Sequence, residues 1–259
     1  MSSVGTDVVR LAAVGDLHVT PRARGLLRAD LARVHEEADV LLLAGDLTNG
    51  GRLDEAHVLT GELAEIGVMA VAVLGNHDHD EGHGQQITAM LHEAGVVVLE
   101  GSVVVLDVRG ISLGIAGLAG FDGGFAGRSQ DSSGRQSHTE RHPAPNAATP
   151  LHQALNRLDT MLRVALTHYA PVPDTLAGEP PEIYRYLGSD LLGQAIDAAG
   201  ADLAIHGHAH FGTERGSTPA GVPVRNVAQT VLNRPYAIYP LSPPRVRRGP
   251  SQGRGHRPR

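Results

Sequence analysis

Apolar residues in this chain fall into short unbroken runs, and stretches with helical spacing lie between them. Val8 to Val14 is the first run; Asp39-Val40-Leu41-Leu42-Leu43-Ala44 and Val68 to Leu74 repeat it. Such runs predict strands buried on both faces. Leu27, Leu31, Val34 and Ala38 recur at helical spacing, as do Leu53, Ala56, Leu59, Leu63 and Ile66, and again the stretch Gln85 to Ala94. Gly67 stands where the second of these helices should stop. Three strand-loop-helix units in succession predict a parallel layer with crossover helices.

After Gly95 the runs shorten. Val96 to Leu99, Val103 to Val108 and Ile111 to Gly117 are separated by turns containing Gly or Ser, and they predict a second, partly antiparallel sheet. Leu118 to Pro145 has almost no periodicity and is rich in Gly, Ser, Arg and His; it reads as a surface insert or a lid over a substrate. A helix over Ala147 to Met161, a strand over Leu162 to Thr167, a helix over Ser189 to Ala199 and a strand over Leu203 to Ile205 follow. Short strands around Val222 to Val227 and Tyr236 to Tyr239 complete the pattern. The expected organisation is one α/β domain over 1–242 with the insert at 118–145. Residues 243–259, dominated by Pro, Gly, Ser and Arg, form an expected disordered tail.

The polar residues gain meaning from where the runs stop. Five apolar runs end in groups able to bind metal or move protons: Asp16 with His18, Asp46, Asn76 with His77 and Asp78, His168, and His208 with His210. Asp16, Asp46 and Asn76 are thirty residues apart, one crossover unit each, so a parallel layer brings all three to the same rim, where open α/β sheets bind ligands. Two carboxylates, an amide and four imidazoles converging on one small volume need a cation. Seven such groups suit two ions, and oxygen and nitrogen donors without sulfur suit Mn, Fe or Zn.

Composition narrows the chemistry further. The chain of 259 residues has no Cys, which excludes disulfides, thiolate metal sites and a Cys nucleophile. It has no Lys, which excludes a P-loop. The net charge of -6 becomes -12 once the six Arg of residues 245–259 are set aside, so nucleic acid is not an expected partner. Neither a signal peptide nor a membrane-spanning run is visible, and a cytoplasmic protein is expected. Gly110-Ile111-Ser112-Leu113-Gly114 fits the nucleophile-elbow pattern but lies inside a strand, without the strand-turn-helix context. His206, His79 and His83 are read as structural or loop residues beside the motifs.

Asp16-x-His18, Gly45-Asp46, Gly75-Asn76-His77-Asp78, His168 and Gly207-His208-x-His210, in that order, resemble the calcineurin-like metallophosphoesterases. The resemblance implies a sandwich of two mixed β-sheets flanked by helices. It implies that Asp16, His18 and His210 hold one metal, that Asn76, His168 and His208 hold the other, and that Asp46 bridges them. The attacking group is then a hydroxide shared by the metals, with His77 as general acid and Asp78 or another carboxylate orienting it. Phosphoprotein phosphatases of this family carry Gly-Asp-x-Val-Asp-Arg-Gly, whereas Gly45-Asp46-Leu47-Thr48-Asn49-Gly50-Gly51 lacks the second Asp and the Arg. A small or nucleotide-like phosphoester, monoester or diester, is therefore the expected substrate. The alternatives are a non-catalytic scaffold of the same fold, or a nuclease, which only the Arg-rich tail favours.

Overall fold

The structure, a computed structural model, describes residues 8–126 and 143–243. Most of the 118–145 insert and nearly all of the 243–259 tail lie outside the described residues.

The first sheet begins as the apolar runs predict. Strands β1 (Val9–Val14), β2 (Val40–Ala44), β3 (Met69–Val73) and β4 (Val96–Val98) lie parallel and in order, and the last strand among the described residues pairs antiparallel with β1. Every residue of β2 is buried, as expected of a central strand covered on both faces. The short helices α1 (Leu26–Asp30) and α2 (Val34–Glu37) replace the single helix expected over 27–38. Leu27, Leu31 and Val34 still face the core, because packing and not length decides the fate of segments this short. Helices α3 (Leu53–Leu63) and α4 (Gly84–Glu93) cross from β2 to β3 and from β3 to β4. The crossover through α4 corrects one expectation: Val96 to Val98 belongs to the first sheet, pairing parallel with β3, and not to the second.

The second sheet opens with the antiparallel hairpin β5 (Ser102–Val108) and β6 (Ile111–Gly117). Its two-residue turn, Arg109-Gly110, has positive φ at both positions, the geometry that matches strand twist and that Gly110 makes easy. Helix α5 (Thr149–Asn156) leads to β7 (Leu162–Leu166). Helices α6 (Tyr184–Leu187) and α7 (Asp190–Ala199) lead to β8 (Leu203–His206). Strands β9 (Arg215–Ser217) and β10 (Pro223–Asn226), helix α8 (Gln229–Leu232) and β11 (Ala237–Leu241) complete the described elements, β11 being the strand beside β1. The second sheet runs β5-β6-β7-β8-β10-β9.

Side-chain size separates the two faces of this sheet. Leu113, Ile115, Val164, Leu166, Leu203 and Ile205 face the first sheet and share its core. Ala116, Ala165 and Ala204 face the other way, leaving room for α5 and α7. The result is the expected sandwich of two mixed sheets flanked by helices. At the amino ends of the parallel strands the hairpin turn ties the sheets together. Arg109 donates two hydrogen bonds to Asp39, just before β2, and one to the Val8 carbonyl. Burial would raise the Asp39 carboxyl, but bonds from Arg109 and Arg10 outweigh it and hold the group at about 2. Among the described residues no helix is long and apolar enough to cross a membrane.

Candidate metal centre

At the opposite, carboxyl ends, β1, β2 and β3 deliver Asp16, Asp46 and Asn76 from the first sheet, and β7 and β8 deliver His168 and His208 from the second. His18 and His210 follow within two residues. Two donor groups form: Asp16, His18, Asp46 and His210 in one, Asp46, His168 and His208 in the other, with the atoms of each group within 4.8 Å of one another. Asn76 joins the second group through Oδ1, 3.1 Å from His168 Nε2. The structure thus brings together all seven residues expected to bind metal.

The backbone is bent to achieve this. Asp16, His18, Asp46 and His208 have φ of 57°, 43°, 49° and 69°, in the left-handed region that side chains with a Cβ seldom adopt. Close approach adds a second demand. A methyl group on Gly75 would collide with the Asp46 carboxylate and backbone, and one on Gly207 would strike Asp16.

Hydrogen bonds fix which atoms point inward. His168 Nδ1 lies 2.9 Å from the Ala44 carbonyl, which can only accept, and Nε2 faces Asn76 Oδ1 at 3.1 Å and Asp46 Oδ1 at 3.4 Å. His208 Nε2 lies 3.2 Å from the Tyr186 carbonyl, which leaves its Nδ1 for the centre. Asp16 accepts from the His208 backbone N–H with both oxygens and pairs with His210 Nε2 at 2.9 Å.

Burial disfavours charge on several of these groups. It lowers His18 and takes His208 down to about 3, so both imidazoles are neutral donors near neutral pH. It raises the Asp46 carboxyl. Burial would raise Asp16 too, but the hydrogen bond with His210 and the nearby imidazoles leave it lowered; that same bond raises His210.

His18 Nε2 and Asp46 Oδ2 are buried, 3.9 Å apart, and hydrogen-bond to nothing among the described residues. Orphaned polar atoms in a buried cluster cost free energy unless something binds them. With His168 Nε2 turned toward two further oxygens, they make an arrangement that cations would satisfy. The donor set fits metal.

A family model described as calcineurin-like phosphoesterase matches residues 9–212. The chain belongs to the calcineurin-like phosphoesterase family. No curated protein sequence matches it. Among solved structures it is similar to phosphopantetheinyl hydrolase (PptH) from Mycobacterium tuberculosis, with a TM-score of 0.62 at 17% identity, covering 97% of this chain and 100% of that one. It is also similar to TT1561 of Thermus thermophilus, with a TM-score of 0.57 at 17% identity, covering 91% and 99%. At these identities the likeness concerns the fold.

In this calcineurin-like phosphoesterase chain the loop after Asn76 departs from expectation. His77 to His79 form a turn of 3₁₀ helix, and His77 Nδ1 meets Asp80 Oδ2 at 2.7 Å. Asp78 does not orient His77. Its buried carboxylate accepts from the backbone N–H groups of Leu47, Thr48 and Gly75 and from the Thr48 hydroxyl, at 2.7 to 3.1 Å, locking the Asp46 loop to the Asn76 loop. Asp80 was missed because its signal, spacing of i,i+3 from His77, appears only once the loop is known to be helical. His206 is a core residue: wholly buried, bonded to the Thr175 hydroxyl at 2.8 Å, and pushed by burial to about 4. His83 faces the Gly51 carbonyl.

Proposed function

We propose that the chain is a phosphoester hydrolase that works with two transition-metal ions, Mn, Fe or Zn, on a small or nucleotide-like substrate. What carries the reading is the buried Asp46 carboxylate, common to both donor groups, with an oxygen that hydrogen-bonds to nothing among the described residues. Asp16, His18 and His210 would hold one ion, Asn76, His168 and His208 the other, and Asp46 would be shared. What the ions supply when bound is positive charge, to polarise phosphoryl oxygens and acidify water.

The remaining work falls to the chain. Asp46 Oδ1 accepts the His77 backbone N–H at 2.9 Å, which fixes that loop relative to the centre. The His77 ring stands at the half-exposed edge, its centroid 5.1 Å from that of His18, and with Nδ1–H donating to Asp80 its Nε2 is free to carry a proton to a leaving oxygen. His18 and His210, with ring centroids 5.3 Å apart, line the same opening.

The protein should purify with about two transition-metal equivalents. Asp46→Ala and Asn76→Ala should each abolish hydrolysis of bis(p-nitrophenyl) phosphate. Full activity in protein stripped of metal by a chelator would overturn the proposal.

A further inference from the structure

A cavity of about 620 Å³ adjoins the centre, between the start of α4, the end of β4 and the turn after β6. It is within the ~300–1,000 Å³ that small ligands commonly fill. Asn76 and Tyr169 link the two spaces: both line the cavity, Asn76 Oδ1 faces His168, and the Tyr169 ring lies 4.5 Å from the His208 ring. A phosphate held at the centre therefore has the cavity beside it for whatever it is esterified to.

The wall selects by charge. Leu74, Val98 and Leu99 form an apolar side, while Gln85 and Thr88 on the first turns of α4 offer neutral hydrogen-bonding groups. Glu100 is the one carboxylate in the wall among the described residues, and its Oε2 accepts from the Ala119 backbone N–H at 3.2 Å. Among the described residues no Arg lines the cavity and the chain has no Lys, so beyond the exposed imidazole of His79 the wall offers no cationic group. A second phosphate or a carboxylate entering here would give up its water and meet no guanidinium or ammonium in return.

We infer that this cavity receives the organic part of the phosphoester, and that this part is an uncharged ring-sized group with an apolar body and a polar edge, of the aryl or nucleobase kind. The inference rests on the phosphoester reading above, and the test separates the two. With metal removed by a chelator, the protein should bind 1-naphthol at least about tenfold more tightly than 1-naphthoate, measured by fluorescence titration. Thr88→Phe, which fills the cavity from α4, should remove that binding; Gln85→Trp, at a more exposed position, blocks the same space if the first variant does not fold.

With metal restored, either variant should raise KM for 1-naphthyl phosphate about tenfold and leave KM for methyl phosphate unchanged. Equal binding of 1-naphthol and 1-naphthoate would overturn the inference, as would 1-naphthol binding that survives both variants. So would hydrolysis whose naphthyl KM ignores both. Selective 1-naphthol binding in a protein that hydrolyses no phosphoester would support the cavity's chemistry and overturn the phosphoesterase reading instead.

Discussion

The interactions of Asp80 and Asp78 show how much a carboxylate's use depends on its partners. Asp80 and His77 are both about half exposed, so their pair contributes little to stability, on the order of 0.5 kcal/mol. Its consequence is directional, since it keeps the Nδ1 proton away from the centre. Asp80→Asn should lower kcat about tenfold for an alkyl phosphoester, whose leaving oxygen needs a proton, and change p-nitrophenyl ester turnover far less. Thermal unfolding should be unaltered, and equal losses on both substrates would count against proton delivery by His77. The candidate metal donors were legible in the sequence because each ends an apolar run, and strand ends share a rim. The division of labour between Asp78 and Asp80 was not. Asp78 bonds to backbone N–H groups about thirty residues away, and nothing in the local residues Gly75 to Asp80 encodes that.

Among the elements, legibility followed burial. Strands β2 and β3, apolar throughout and flanked by helices, were visible as runs, whereas β9, Arg-Gly-Ser, has no apolar signal and exists because β10 lies beside it. The sheet membership of Val96 to Val98 depended on the length and hand of the crossover through α4, which residue pattern does not report. The β5–β6 hairpin carries a testable consequence through Arg109. Asp39 is held at about 2, below the ~3.9 of an unfolded chain. Because the folded value is the lower, the contribution is complete above about pH 4 and is lost as pH falls from there toward 2. The Arg partners are nearly half exposed, so solvent screening limits the contribution to about 1 kcal/mol. Asp39→Asn should therefore lower the unfolding midpoint at pH 7 and narrow its difference from wild type near pH 2, as followed by thermal denaturation across pH.

At the scale of the molecule, the two sheets meet at both ends of their parallel strands, by different means. One end is joined by Arg109 of the second sheet, which donates to Asp39 and to the Val8 carbonyl beside the first. The other is joined by cross-sheet bonds from His168 to Ala44 and from His208 and His210 to Asp16, within the donor cluster itself. Metal bound only by the folded chain adds RT ln(1 + [L]/Kd), about 2.7 kcal/mol at a hundredfold excess over Kd. Chelation should lower the thermal midpoint accordingly. Hydrogen exchange should then quicken at residues 15–18, 45–48 and 206–210 and leave the rates at 108–111 unchanged; uniform quickening along the chain would contradict this. The Arg109 staple stands at one end of the sandwich and the candidate metal donors at the other. On the proposed two-metal reading, any rocking of the sheets about the stapled end would displace the donors most. Metal exchange would then depend on the stiffness of a hairpin turn at the far end of the sandwich.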